Sequence, residues 1–291
     1  MAYLDHITRC NAYDLQGFRP WFIGDRLVGW MRHAFAERLR AFPEVFVVTE
    51  SRVWLATDLD TPDARAQQLA AVGADLAGQG VLPKARGELF PIQPWWNDAP
   101  LASLDRAWVT FFGLPAYGVH LNGFVRGANG LQIWIAKRAL GKMTYPGQLD
   151  NLVAGGQPVG LGLFENMVKE CAEEADIPAA LAGAMVPIGQ ITYAMEVEDG
   201  LKQDTLFNFD LELPADFVPN NTDGEVDSFK LLPLHEVAEI VRDSFDFKFN
   251  CNLVIIDFLI RHGALNGDAE PDYQQLCSGL QASFPGASAT E

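Results

Sequence analysis

Three glutamates, Glu170, Glu173 and Glu174, stand in Leu163-Phe-Glu-Asn-Met-Val-Lys-Glu-Cys-Ala-Glu-Glu-Ala175, where Phe164, Met167, Val168, Cys171, Ala172 and Ala175 recur at helical spacing. The spacing predicts a helix over 163–175 with the three carboxylates inside about 100° of arc on the face away from the apolar residues. Like charges at i, i+3 and i+4 repel by a few tenths of a kcal/mol per pair. A hard divalent cation, which favours carboxylate oxygens, reverses the sign of that interaction. A solvated acidic face accounts for the same pattern, so the helix alone leaves both readings open.

Just upstream lies Tyr145-Pro-Gly-Gln-Leu-Asp-Asn-Leu-Val-Ala-Gly-Gly-Gln-Pro-Val-Gly160. Its glycines let backbone approach a phosphate or a metal closely. Trp95, Trp96, Trp134 and Tyr145 are candidates to stack on a flat heteroaromatic ring, with burial in a core as the plainer reading. Lys137 and Arg138, after the Trp134 strand, are candidates to meet a diphosphate, or are surface charges. His120 reads as a hydrogen-bonded structural residue, and Cys171 as a buried structural thiol on the apolar helix face. Glu165 and Lys169 are spaced i,i+4 and are expected to pair.

The elements that must hold these residues follow from the pattern of the 291-residue chain, a length that favours two domains. Phe35 to Phe42 has helical spacing, Val45–Thr49 and Ser51–Leu55 read as strands, and Ala64–Leu76 reads as a helix. Pro91 to Pro100, with three prolines, reads as a turn-rich connector. Beyond it, Val119–Val125 and Leu131–Ala136 alternate around Gly127-Ala-Asn-Gly130, a hairpin signal. Further strands are expected around Gly189–Val197, Thr205–Glu212 and Phe229–Leu232, and helices at Pro233–Val241 and about Asn252–Arg261. This gives an α+β chain divided as 1–104, a small α+β unit; 105–265, a unit built on a mixed sheet; and 266–291, a tail loosely ordered at its end.

Composition narrows the partners. With 38 Asp+Glu against 21 Lys+Arg the net charge is −17, which repels nucleic-acid phosphates and anionic membranes. Four cysteines without paired spacing suggest neither a disulfide framework nor a zinc knuckle, and fit a reducing compartment. The start lacks a basic segment followed by an apolar one, and the best apolar run, Leu253–Ile260, is broken by Asp257. A cytoplasmic protein is expected.

The loop and acidic helix resemble the Nudix hydrolase family. Laid on its signature from Gly155, the residues Glu170, Glu173, Glu174 and Ile177 match. Leu161 stands where the family has an early Glu, Lys169 where it has Arg, Cys171 where it has a bulky apolar residue, and Asp176 where it has Gly. The run Tyr145–Gly156, Gly118-Val-His-Leu-Asn-Gly123, Asp223-Gly-Glu-Val226 and Asp257-Phe-Leu-Ile-Arg-His-Gly263 are similar to the Nudix subgroup related to thiamin pyrophosphokinases, in which a domain of unassigned function precedes the Nudix domain.

The resemblance implies an α/β/α sandwich and an enzyme that hydrolyses a diphosphate linkage with Mg²⁺, or Mn²⁺ in its place. Glu170, Glu174 and the Gly155 carbonyl are the implied metal ligands, and Glu173 a ligand or base. Glu225 matches a late acidic residue that binds metal or acts as base, with an ordinary turn carboxylate as the alternative. The implied partner is a small organic diphosphate, with thiamin diphosphate or its damaged derivatives as candidates. Self-association as a homodimer is left open. The Leu161 and Asp176 departures keep a second reading in view, a degenerate Nudix module that binds a phosphorylated ligand without turnover. An isomerase on the same fold is a third, against which stands the lack of a paired catalytic cysteine and glutamate. The first unit is expected to cap the site and narrow substrate choice.

Overall fold

The computed structural model describes residues 2–284 other than Thr57 and Asn129. Helix α1 (Tyr3–Cys10) leads into the antiparallel pair β1 (Phe18–Ile23) and β2 (Arg26–Arg32), followed by α2 (His33–Arg38), β3 (Phe46–Val48), β4 (Val53–Leu55) and α3 (Pro62–Gly78). The four strands form one sheet in the order β2-β1-β4-β3, with β1 and β4 parallel. Thr61 starts α3 by accepting the Ala64 N–H at 3.1 Å, and Pro62 in the first turn loses no hydrogen bond there. The pair β5 (Leu89–Ile92) and β6 (Ala102–Asp105) completes this unit. The predicted connector therefore begins inside a strand, Pro91 being tolerated because this two-stranded sheet has open edges.

The first core gathers Trp21, Met31, Leu39, Leu69, Leu76, Trp108, Phe112 and Leu114. It runs past residue 104: a Cβ on Gly73 of α3 would lie 2.2 Å from the Trp108 ring, so helix and indole are in direct contact. A boundary at 105 divides this core.

The second unit comprises β7 (Pro115–Gly127), β8 (Gly130–Arg138), β9 (Leu149–Asp150), β10 (Val153–Gly156), α4 (Leu163–Ala175), α5 (Ala179–Ala182), β11 (Val186–Val197), β12 (Gly200–Glu212), β13 (Val226–Pro233), α6 (Leu234–Asp243), α7 (Cys251–Arg261) and α8 (Tyr273–Gly279). Its sheet runs β11-β12-β7-β8-β13, with β10 on β7 and β9 on β8. β12 and β7 are parallel and the other pairs antiparallel, which makes the sheet mixed as expected. Alternation along the strands sorts side chains to two faces. Val119, Leu121, Phe209 and Leu211 pack with Met167, Cys171 and Ala175 of α4. Phe124, Ile133, Ile135 and Leu206 pack with α6 and α7 on the other side. Each such side chain contributes about 1.5–3 kcal/mol by leaving water. The helix–sheet–helix sandwich is thus present, and α4 has the predicted bounds.

The chain ends differ from expectation. Tyr3, Ile7 and Cys10 of α1 belong to the core of the second unit, with the Tyr3 hydroxyl donating to the Ala238 carbonyl at 2.9 Å and His6 Nε2 lying 2.7 Å from the Val241 carbonyl. The described part of the tail, residues 266–284, packs on the second unit, because α8 buries Leu276 and Leu280 in that core. A Cβ on Gly279 would lie 2.1 Å from Ile7 Cγ2, so α1 and α8 touch through a glycine. The loose end expected beyond residue 284 lies outside the described residues.

Candidate active site

The three glutamates meet the glycine loop because α4 packs against β10, the strand carrying Val153-Ala-Gly-Gly156. Glu174 is buried, and its Oε2 accepts the Ala154 N–H at 2.9 Å. Burial pushes this carboxyl up to about 8, against the pull of the Ala154 N–H and of Lys142. Glu170 leans on Gly155: a Cβ there would lie 2.4 Å from the Glu170 Cδ, so a larger residue at 155 would make the carboxyl move. Its carboxyl is also raised, by burial first, with Lys169 acting the other way. Glu173 is half-buried and accepts from Lys169 Nζ at 2.6 Å, while the same ammonium lies 3.4 Å from Glu170 Oε1. Lys169 therefore spans Glu170 and Glu173, and the pair expected with Glu165 does not form, since the ammonium points along the helix toward its C-terminal end.

Glu225 sits in a turn whose backbone is tied by Asp223 accepting the Glu225 N–H at 2.8 Å. That turn belongs to a loop that covers the C-terminal carbonyls of α4: Thr222 donates through its hydroxyl to Glu173 O at 2.6 Å, and the Asn220 N–H to Ala175 O at 3.1 Å. The Glu225 carboxylate pairs with Lys142. Lys142 thus stands between Glu225, which it bonds, and Glu174, whose charge it favours.

The four substrate candidates are not gathered around these carboxylates. Trp134 is 8% exposed and lies in the core under α4, its indole N–H without a protein acceptor. Arg138 is buried; it bonds Asp150 Oδ2 at 2.7 Å and the carbonyls of Tyr145 and Thr144 at 3.0 and 2.8 Å, so its guanidinium braces the glycine loop. Tyr145 packs its ring on Phe249 with centroids 5.3 Å apart. Lys137 is exposed, 3.9 Å from Asp227. His120 is buried with Nδ1 2.9 Å from Asn151 Oδ1, and Cys171 is buried with its thiol pushed up to about 12, both as expected of structural residues.

Over 279 residues the chain is 42% identical to Nudix hydrolase 24, chloroplastic, of Arabidopsis thaliana, an alignment covering 94% of this chain and 76% of that one. This chain belongs to the Nudix hydrolase family. Nudix hydrolase 20, chloroplastic, of the same plant is also 42% identical over 279 residues, covering 92% and 75%. A domain of unknown function, DUF4743, matches residues 2–116. Among solved structures, a binary complex of the Caenorhabditis elegans Ap4A hydrolase is 14% identical with a TM-score of 0.39, covering 52% of this chain and 99% of that one. The protein is a Nudix-type hydrolase.

Its departures from the Nudix signature have local explanations. Asp176 takes the left-handed conformation, φ 53°, that ends α4 and lets the Ile177 N–H return to the Cys171 carbonyl at 3.0 Å. Asp is among the few residues that tolerate this, at a cost of about 1 kcal/mol relative to Gly. Two buried amides hold the loop closed around Leu161: Asn166 donates to the Gly156 carbonyl at 2.8 Å and to Gln157 Oε1 at 3.0 Å, and Gln157 Nε2 donates to the Leu161 carbonyl at 2.7 Å. These residues were missed in the sequence, where an uncharged polar residue on the inner face of α4 was the available signal.

His120, Asp150 and Cys251 also place one ligand atom each within 4.8 Å of one another. The Asp150 oxygens there are already taken by Arg138 Nη1, the Asn151 N–H at 2.9 Å and the Cys251 thiol at 2.7 Å. Burial alone would raise the Asp150 carboxyl, but Lys248 and Arg138 outweigh it and hold it below its usual range. A cation would have to enter beside two positive charges, Lys248 and Arg138, so the hydrogen bonds of this group serve as a structural network.

Proposed function

We propose that this Nudix hydrolase cleaves the diphosphate linkage of a small organic diphosphate at the surface formed by Gly155, Glu170, Glu173 and Glu174, with Mg²⁺ as its ion and Mn²⁺ able to replace it. The observation that carries the reading is the seating of Glu170 on Gly155 beside a buried Glu174. Two carboxyls that burial pushes upward, one seated on Gly155 and one bonded to the Ala154 N–H, offer oxygen donors of the kind hard divalent ions take. Glu170, Glu174 and the Gly155 carbonyl would hold the ion. A divalent ion in this place supplies charge neutralisation at the diphosphate oxygens.

The chain's own groups do the rest. Lys169 fixes the rotamers of Glu170 and Glu173 from the solvent side, with less directional control than an arginine would give. Glu173, partly exposed and paired with Lys169, would accept the proton of the attacking water. Water oxygen bonds to one phosphorus, the bridging P–O bond breaks, and its electron pair leaves with the departing phosphate. Glu225 and Lys142 border the Glu174 end, where the pair positions Lys142 toward an anionic substrate.

Thiamin diphosphate and its damaged derivatives are the candidate substrates, a choice supported by the resemblance of Tyr145–Gly156 and the Asp257–Gly263 end to the thiamin pyrophosphokinase-related subgroup. The test is phosphate or monophosphate release with Mg²⁺ across thiamin diphosphate, its oxidised forms, nucleotide sugars and dinucleotides, in the wild type and in Glu173→Gln. Release lost in the variant, with its fold intact, supports the reading. Leu161 in place of an acidic residue favours one second reading, a module that binds without cleaving; tight binding with no release from any compound would select it.

A further inference from the structure

The carboxylate seat lies on one face of the sheet, and strand register shows what shares that face. Gly155 of β10 pairs with Val119 of β7, and Val119 pairs with Phe207 of β12. Paired residues point to the same side of a sheet, and alternate residues along a strand do so too. Glu170 occupies the space over Gly155, so Phe207 lies on the carboxylate face, two strand spacings or about 10 Å away. Tyr117, two residues before Val119 on β7, shares that face, and so does the exposed Gln190 of β11, which pairs with Phe207. Gly156 faces the opposite way: a Cβ there would lie 2.6 Å from Phe90 Cζ and 3.3 Å from Arg106 Cζ.

The first unit reaches the carboxylate face through Trp96. Its ring centroid lies 5.1 Å from that of Tyr117 and 5.2 Å from that of Phe207, tilted by 60° and 57°, while the Tyr117 and Phe207 rings are within 24° of parallel. The buried Gln93 ties this cluster together. Its Nε2 donates to the Trp96 carbonyl at 2.9 Å, and its own carbonyl accepts the Tyr117 hydroxyl at 3.0 Å. Past Trp96, the Asp98 N–H returns to the Trp95 carbonyl at 3.0 Å and the Asp98 carboxylate pairs with Arg26. Trp96 is therefore held on both sides. Trp96 and Phe207 are only half-buried, whereas Trp134, on the same face under α4, is 8% exposed. Rigid aromatic surface left open at the junction of two units, with an amide side chain beside it, suits a flat heteroaromatic ring.

We propose that Trp96, supplied by the unit that matches DUF4743, stacks with Phe207 against the heteroaromatic ring of the organic diphosphate whose phosphates lie at Glu170 and Gly155. Gln190 is the polar side chain available on that face to the edge of the ring. This gives the first unit a defined part in substrate selection, and it rests on the proposed diphosphate site.

The test uses the full chain with Mg²⁺ and calorimetric binding of three probes that cannot be cleaved at the bridge: methylenediphosphonate, which has no ring, and the methylene-bridged analogues of thiamin diphosphate and ADP. The wild type is expected to bind at least one ring-bearing analogue about tenfold or more tighter than methylenediphosphonate. Trp96→Leu, which keeps an apolar side chain on Tyr117, should weaken that analogue by about 5- to 100-fold, the scale of one lost base–aromatic stack. It should leave methylenediphosphonate affinity unchanged, and Trp96→Phe should restore most of the loss. Ring-bearing analogues that bind the wild type no better than methylenediphosphonate overturn the proposal and leave the diphosphate site standing. Unchanged analogue affinity in Trp96→Leu also overturns it, as does an equal fall for all three probes, which would mean that Trp96 only props the site. If Trp96→Leu fails to fold, Phe207→Leu decides in the same way. A wild type that binds an analogue through Trp96 but releases nothing from any diphosphate would sink the hydrolase reading and leave this one standing; a wild type that binds none of the probes overturns both.

Discussion

The Glu170 carboxyl carbon stands 2.4 Å from the point a Cβ of residue 155 would occupy, so this carboxyl keeps its place only while residue 155 is glycine. Gly155→Ala must therefore push Glu170 off its seat. The expected result is a fall in Mn²⁺ affinity of at least roughly tenfold, with little loss of stability, because the flexible Glu170 side chain can swing away from the added Cβ. Retained Mn²⁺ affinity in a folded variant would mean that Glu170 takes no part in holding the ion.

Glu174 separates the demands of folding from those of function. Its carboxyl is buried, and burial opposes its charge. Glu174→Gln keeps an acceptor for the Ala154 N–H and removes the charge. In metal-free buffer at pH 8 its melting temperature should equal or exceed that of the wild type, while turnover falls on the order of 100-fold or more. A variant that melts well below the wild type would show that the charge itself supports the fold.

Arg138 and Asp150 form a buried ion pair, and breaking one partner of such a pair costs about 3–5 kcal/mol. Arg138→Met should lower the urea midpoint sharply. Were Arg138 a substrate contact, as its sequence position suggested, the main effect would instead be a raised KM in a stable protein.

Burial pushes the His120 imidazole down to about 4, with Lys248 adding to the effect and Asp150, Asn151 and Asp204 opposing it. The folded value lies below the ordinary one near 6.5, so the neutral ring is the folded form. Stability from this group is fully present above about 6.5 and is lost as the pH falls toward 4, up to about 3 kcal/mol. Urea midpoints taken between pH 7 and pH 4.5 should drop more steeply in the wild type than in His120→Gln. Equal slopes would assign the acid sensitivity to other groups, His6 among them, which burial also lowers.

Local pattern made most of this legible. The 163–175 helix was readable because its apolar period and its acidic face agree, and the β7–β8 hairpin because alternation flanks a glycine-rich turn; of that turn, Asn129 lies outside the described residues. The roles of Trp134, Arg138 and Tyr145 were not readable, since a basic or aromatic residue after a strand looks alike whether it faces solvent or is drawn inward by a distant partner such as Asp150 or Phe249. Arg106 and Phe90 were hidden for a related reason. Their meeting with Gly156 is a contact between distant segments, and periodicity says nothing about which segments meet. The reach of α1 was hidden too, because its apolar side fits any core.

That reach has a consequence for how the protein is made. Helix α1 is translated well before the groups that receive it, since the carbonyls of Ala238, Val241 and Phe249 and the Gly279 surface lie more than 200 residues further along the chain. The core of the second unit stays open until α8 has been made, and a nascent chain stalled before α8 carries the uncovered Ile7 side of α1 throughout. Excising residues 1–104 would strip that core of α1, so the second unit taken alone is left with an uncovered apolar face.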